Sequence, residues 1–169
     1  IIESLGYKVF IGIGSNLGNS QKNCLKSIDY ISKNPRITRV VTSSLYITSP
    51  VSNINQNDFI NCAISIDWES DPIELLDYLQ SIEHDMGRTR KKKNEPRIID
   101  LDILLFSNLV LNTPRLIVPH PELHKRRFAI IPCIEIDPHI VHPFLKRPLI
   151  DFLDEIDEKQ TCKKLPLEI

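Results

Sequence analysis

Asp58-Phe59-Ile60-Asn61-Cys62-Ala63-Ile64-Ser65-Ile66-Asp67-Trp68 alternates over its whole length. Ile60, Cys62, Ile64, Ile66 and Trp68 fall two apart and face one way, while Phe59, Asn61, Ala63 and Ser65 face the other. A period of two is the pleat of a β-strand. The next residues change the period. Asp71 is placed to cap a helix, Pro72 takes its first position, and Glu74 sits in an acidic first turn. Leu75, Leu79, Ile82 and Met86 form its apolar stripe and Gly87 closes it.

Working outward, a strand is predicted over Ile98 to Phe106. Ser107-Asn108 then turns into a short return strand at Val110-Leu111, and Pro119-His120-Pro121 precedes a last helical stretch, Phe128 to Ile134. Upstream, Lys8 to Ser15 reads as a strand that sets Val9, Ile11 and Ile13 against Phe10, Gly12 and Gly14, one face being tightly approached. After the turn Asn16-Leu17-Gly18-Asn19 comes a helix with Cys24, Leu25, Ile28 and Ile31 inward, ended by Asn34-Pro35. The β-branched run Ile37 to Tyr46 is a second strand, and Thr48 to Asn57 a long polar loop suited to function. The order βαββαβ predicts an α+β, ferredoxin-like domain with a mainly antiparallel sheet.

With 169 residues, 41% hydrophobic and 25% charged, the chain fits one globular domain. A net charge of −1 gives no global pull toward nucleic acid or anionic membrane, and no apolar run nears the roughly 20 residues of a membrane helix. Ile1-Ile2-Glu3-Ser4 does not read as a signal peptide. Cys24, Cys62, Cys133 and Cys162 are scattered, without a C-x-x-C pair, which predicts free thiols and a cytoplasmic setting.

Asp100-Leu101-Asp102 carries the chemistry. Residues two apart on a strand share a face, so both carboxylates project together while Leu101 and Ile103 enter the core. Paired acids repel unless a cation lies between them, and hard oxygen ligands with room for water and phosphate suit Mg²⁺. A bare D-x-D is more often an exposed strand face; here the strand is otherwise apolar. Just upstream stands Arg88-Thr89-Arg90-Lys91-Lys92-Lys93, with Arg97 before the first acid, and arginine forks match phosphate oxygens. Arg115, His120, Arg126 and Arg127 are further cations able to close over one anion. Phe59 and Asn61 share a face, offering a ring to stack on a flat heterocycle and an amide to read its edge.

Four other readings compete. Gly12-Ile13-Gly14-Ser15-Asn16-Leu17-Gly18 is spaced off the dinucleotide fingerprint. His120 and His124 have a zinc-compatible spacing but no evident partner ligands. A βαββαβ domain with a basic loop also suits RNA recognition, though the aromatic-rich signature is missing. A metal-dependent phosphohydrolase using the same acids stays open.

Ile13-Gly14-Ser15-Asn16-Leu17-Gly18, Leu45-Tyr46-Ile47-Thr48-Ser49-Pro50, Asp58-Phe59-Ile60-Asn61, Gly87-Arg88-Thr89-Arg90, Pro96-Arg97-Ile98-Ile99-Asp100-Leu101-Asp102-Ile103-Leu104 and Val118-Pro119-His120-Pro121 through Phe128 come in one order. Together they resemble the 6-hydroxymethyl-7,8-dihydropterin pyrophosphokinase family, from Val9 to about Pro138. The resemblance implies a three-layer αβα form of the ferredoxin-like fold, in a pyrophosphokinase domain over 1–153 followed by a charged tail or linker over 154–169. It implies transfer of pyrophosphate from ATP to the pterin in folate synthesis, with Asp100 and Asp102 holding two Mg²⁺ ions and acting catalytically with Arg88 and Arg97. Gln80, Glu83, Arg88, Arg90, Arg97, Ile103, His120 and Arg126 then stand on the ATP side. Thr48, Ser49, Val51, Phe59, Asn61, Asp100 and Phe128 stand on the pterin side. Glu95 replaces a usual glycine, the loop Lys91 to Asn94 lacks an aromatic, and Ser49 replaces a common proline. The only methionine is Met86, which with the charged tail predicts one module of a longer folate-pathway polypeptide, joined to a dihydropteroate synthase.

Overall fold

The computed structural model describes residues 6–49, 57–87 and 97–166. Its main sheet is built on β1 (Tyr7–Ser15) and β4 (Phe59–Trp68), which pair antiparallel from Tyr7 opposite Trp68 to Ser15 opposite Ile60. β5 (Asp100–Phe106) flanks β1 on the outer side. β2 (Ile37–Thr42) and β3 (Tyr46–Thr48) both pair with β4 on the other. With the two helices α1 (Ser20–Ser32) and α2 (Pro72–Asp85), this is the expected ferredoxin-like βαββαβ arrangement.

The alternation in β4 sorts its side chains as the sequence predicts, but both faces are covered. Ile60, Cys62, Ile64, Ile66 and Trp68 pack with Val9, Ile11 and Ile13 beneath Cys24 and Ile31 of α1 and Leu75, Leu79 and Ile82 of α2. On the opposite face Phe10, Ala63, Leu104 and Leu105 lie under a second core. Ala129, Ile130 and Cys133 of α3 (Arg127–Ile136) join Leu149 and Phe152 of the 3-10 stretch Leu149–Glu155 there. The result is three layers. An RNA-recognition sheet keeps the second face open for stacked bases, so that alternative fails on packing.

Local cues act as read around α2. The Asp71 carboxylate accepts the Glu74 N–H at 2.8 Å, and Gly87 closes the helix with φ +93°, where a side chain would be strained. The helix dips its stripe into the core, and Glu83 goes with it.

Several expectations are corrected. The run Ile37 to Tyr46 is two strands: the Ser43 N–H still donates to the Ala63 carbonyl at 2.9 Å, but the Ala63 N–H turns to Ser43 Oγ, also at 2.9 Å, in place of the Ser43 carbonyl. Leu25 is 57% exposed and the smaller Ser27 takes the inward place, its hydroxyl donating to the Cys24 carbonyl at 2.7 Å. β5 begins at Asp100 rather than Ile98, and a bulge opposite the Phe10–Ile11 step turns both Leu104 and Leu105 toward α3. The return strand is β6 (Leu111–Asn112), which pairs with β7 (Ile117–Val118) and not with β5. Arg115 pairs with Asp77 at 2.6 Å, and Arg127 donates to the Gln160 and Ile156 carbonyls, so neither turns to the anion expected of them. Residues past 153 also pack. β8 (Cys162–Lys164) extends the sheet beyond β3, and Ile156 is in the α3-side core.

His124 and His142 lie edge to face at 5.6 Å, both beside the Phe152 ring. Burial depresses both pKa values; the neighbouring Lys125 further lowers His124, and His124 further lowers His142. His142 Nδ1 already accepts the Leu145 N–H at 3.0 Å, which protonation there would abolish. The unfolded chain takes up these protons near the ordinary histidine value of about 6.5, whereas the folded chain resists them until lower pH. Their stabilising contribution is therefore complete above that value and lost as pH falls through the folded values. Thermal melts from pH 7.5 to 5 should show the loss, and His142→Phe should flatten the profile.

Candidate functional site

The chemistry-bearing residues collect at the end of the sheet where β1 runs into its turn. Direct pairing puts Asp100 opposite Gly14, and Gly14 opposite Asn61, in one row across β5, β1 and β4. Paired residues share a face, so an acid and an amide stand on either side of a glycine, roughly 9.5 Å apart by two strand spacings. Asp102 lies in the next row opposite Gly12. Both acids project from the α3 face while Leu101 and Ile103 enter the α1–α2 core.

Arg97 holds the first acid. Its guanidinium reaches both Asp100 carboxylate oxygens, at 3.0 and 3.2 Å, with side chains 21% and 20% exposed. Arg97 Nε is buried and, among the described residues, has no hydrogen-bond partner. Asn16 fixes the backbone beneath this pair. Its Oδ1 accepts the Arg97 N–H at 2.7 Å and its own N–H donates to the Arg97 carbonyl at 3.0 Å. Asn16 Nδ2 also donates to the Asn57 carbonyl at 3.4 Å, tying three loops together. Residue-by-residue reading passed over this role; the available signal was a polar residue directly after an apolar strand.

Glu83 is buried, 7% exposed, and its Oε2 accepts the Leu101 N–H at 2.9 Å. It thereby secures the outer edge of β5 at the residue between the two acids. Glu83→Ala strands that N–H and should cost about 1–3 kcal/mol of stability, with Glu83→Gln recovering part of it. Denaturant titration of the two variants measures both values.

On the other side of the acids, the His120 N–H donates to the Leu104 carbonyl at 2.9 Å, and His120 Nδ1 accepts the Glu122 N–H at 3.0 Å. This fixes the ring with Nε2 as its remaining nitrogen. Burial lowers its pKa; Asp102 and Glu122 pull it up and Arg126 pushes it down, so all three are neighbours. The Arg126 guanidinium lies 5.6 Å from the centre of the Phe128 ring.

Among the remaining expected residues, Thr48 and Asn61 are joined, Asn61 Nδ2 donating to Thr48 Oγ1 at 2.7 Å, and Phe59 is half-buried beside them. Ser49 Oγ accepts from Thr161 at 3.1 Å, outside the row. Gln80 is exposed on α2. The Ile103 side chain is 4% exposed in the core, so only its backbone can meet a ligand. Val51, Arg88, Arg90 and the loop with Glu95 lie outside the described residues.

The donor set fits magnesium better than zinc. Two carboxylates share a face, and among the described residues no cluster of three or more histidines, cysteines or acids could hold a metal. Mg²⁺ is held in this way, through one or two carboxylates, with water and phosphate oxygens completing its shell.

An antiparallel sheet thus carries two acids, a clamped arginine and a His–Arg pair at one end, hard oxygen donors beside fixed cations. The family model of 7,8-dihydro-6-hydroxymethylpterin-pyrophosphokinase (HPPK) matches residues 10–138, and the chain belongs to that family. It is 36% identical over 154 residues to the 2-amino-4-hydroxy-6-hydroxymethyldihydropteridine pyrophosphokinase of Aquifex aeolicus, covering 91% of this chain and 95% of that one. It is 37% identical to the folic acid synthesis protein FOL1 of Dictyostelium discoideum, covering 81% of this chain but 20% of that protein. The crystal structure of wild-type Plasmodium falciparum HPPK-DHPS with pteroate matches with a TM-score of 0.71 at 13% identity, over 92% of this chain and 43% of that one. That last likeness is one of fold.

Proposed function

We propose that the chain moves the terminal diphosphate of ATP onto the hydroxymethyl group of 6-hydroxymethyl-7,8-dihydropterin, releasing AMP, in folate synthesis. The observation that carries this reading is the row Asp100, Gly14, Asn61, in which a phosphate-side acid and a heterocycle-reading amide face each other across a residue with no side chain.

The pterin lies in the trough over Gly14. Asn61 meets its polar edge, Phe59 and Phe128 flank the ring, and the hydroxymethyl group points toward Asp100. Asp100 and Asp102 would hold two Mg²⁺ ions, which would supply charge stabilisation on the phosphate oxygens. Arg97 keeps Asp100 oriented through both carboxylate oxygens. His120 and Arg126 approach from the Asp102 side, Arg126 with a permanent charge. Arg88 and Arg90 complete the cation set, and Gln80, Glu83 and the Ile103 backbone border the nucleotide; Val51 and Ser49 border the pterin. The work of these residues is placement and electrostatics, as expected where phosphoryl chemistry needs little covalent help.

The described cysteines are free, which supports a reducing, cytoplasmic setting, and no helix among the described residues is long and apolar enough to cross a membrane. The partial coverage of FOL1 and HPPK-DHPS supports a module linked to a dihydropteroate synthase, while the Aquifex relative is nearly covered by this chain alone.

Incubation with Mg²⁺, ATP and the pterin, followed by nucleotide chromatography, tests the reaction. AMP should appear only when pterin is present. ADP as the main nucleotide indicates an ordinary kinase, and free phosphate without pterin a phosphohydrolase.

A further inference from the structure

We infer that Gly14 and Thr48 are positioning residues that lock the Asn61 carboxamide in one orientation, and that this lock selects heterocycles with an amide-like edge over those whose edge is reversed. The inference rests on the pterin reading above and goes beyond it in naming what sets the selectivity.

Asn61 is 7% exposed and Thr48 2%, and Asn61 Nδ2 donates to Thr48 Oγ1 at 2.7 Å. The Thr48 hydroxyl is thus turned inward and acts through Asn61. With one Nδ2 hydrogen committed to Thr48, the amide has its second hydrogen and Oδ1 left for other partners: a donor beside an acceptor. That pair matches a ring N–H next to a carbonyl. It mispairs with a ring that carries a bare nitrogen beside an amino group.

Gly14 supplies the second half of the lock. A Cβ built there would stand 2.6 Å from Asn61 Oδ1 and 3.8 Å from Phe59 Cδ1. Gly14 sits inside β1 and is not among the residues with positive φ, so the backbone does not demand glycine. What demands it is the approach of the amide oxygen. Gly12, one row along, differs: a Cβ there would first meet Leu104 Cδ1, at 3.2 Å, the end of a side chain that can turn aside. Any side chain at position 14 would push Oδ1 away and fill the trough between Asn61 and Asp100.

The readout is selectivity between 6-hydroxymethyl-7,8-dihydropterin and its 2,4-diamino counterpart, in which the carbonyl is replaced by an amino group. Dissociation constants for both are measured with a non-reacting ATP analogue and Mg²⁺, and ATP-analogue affinity and melting temperature are followed alongside. Thr48→Val should weaken pterin binding about tenfold to a hundredfold and shrink the preference for the pterin by a similar factor, because the amide is released to turn over. Thr48→Ser, which keeps the acceptor, should restore both. Gly14→Ala should resemble Thr48→Val, and in an Asn61→Ala background neither substitution should cost more than about twofold. If Gly14→Ala does not fold, the Thr48→Val and Thr48→Ser pair carries the test. The inference is overturned if Asn61→Ala removes the preference while Thr48→Val leaves it intact, or if Thr48→Val weakens binding equally without Asn61. If Asn61→Ala itself leaves pterin affinity unchanged, the pterin reading of the site fails instead.

Discussion

Asp102→Ala should lower turnover by about a hundredfold to a thousandfold or more, with little change in melting temperature. The separation follows from where the carboxylate sits. Asp102 is exposed and projects from the end of β5, while the strand is held by its ladder to β1 and by Glu83 at Leu101. Removing the side chain takes away a hard oxygen ligand and leaves the strand in place. Steady-state kinetics across a Mg²⁺ titration is the measurement to make. A folded variant that turns over at close to the normal rate at ordinary Mg²⁺ concentrations contradicts the metal role of the pair.

Arg97→Ala should come next, with a loss of at least about a hundredfold in kcat and a rise in the Mg²⁺ needed for half-maximal rate. Arg97 bonds both oxygens of Asp100 and exchanges backbone hydrogen bonds with Asn16. Only the first of these is lost in the variant, so the loop stays anchored while Asp100 loses the fork that grips both its oxygens and its orientation beside Asp102 is less well fixed. Arg97→Lys should recover little, since a point charge cannot reproduce a planar fork on two oxygens. Wild-type rates in Arg97→Lys would mean that charge alone suffices there.

What could be read from the sequence depended on whether a residue's role was local. Period-two alternation in β4, the Asp71 cap, Pro72 and the Gly87 terminator each act within a few residues, and each acts as expected. The shared face of Asp100 and Asp102 is local too, as is that of Phe59 and Asn61. Roles set by a partner far along the chain were hidden. Ser43 breaks the strand because the Ala63 N–H, twenty residues on, bonds to its hydroxyl rather than to its carbonyl. Arg115 and Arg127 carry the charge an anion wants, but Asp77 and the Gln160 and Ile156 carbonyls reach them first. Cys162 to Lys164 looked like a linker because an edge strand with both faces partly exposed needs no clean alternation; its order comes from β3. Leu25 lost its inward place because α1 packs close over Ile60, where Cys24 Sγ sits 3.6 Å from the Ile60 carbonyl, and a small Ser27 fits where a leucine does not.

The site shows the same division. Both acids, Arg97 and Asn61 were legible as residue types at a spacing. The row that joins Asp100 to Asn61 through Gly14 was not, because it exists only once β1 has been inserted between β5 and β4.

Label transfer from ATP tests the central claim most directly. ATP labelled at the β-phosphorus and ATP labelled at the γ-phosphorus are each incubated with Mg²⁺, the protein and 6-hydroxymethyl-7,8-dihydropterin, and the pterin product is isolated. Transfer of an intact diphosphate puts both labels in the pterin in equal amount, with unlabelled AMP left behind. Recovery of the γ label alone in the pterin, or of either label only as free phosphate, contradicts the account.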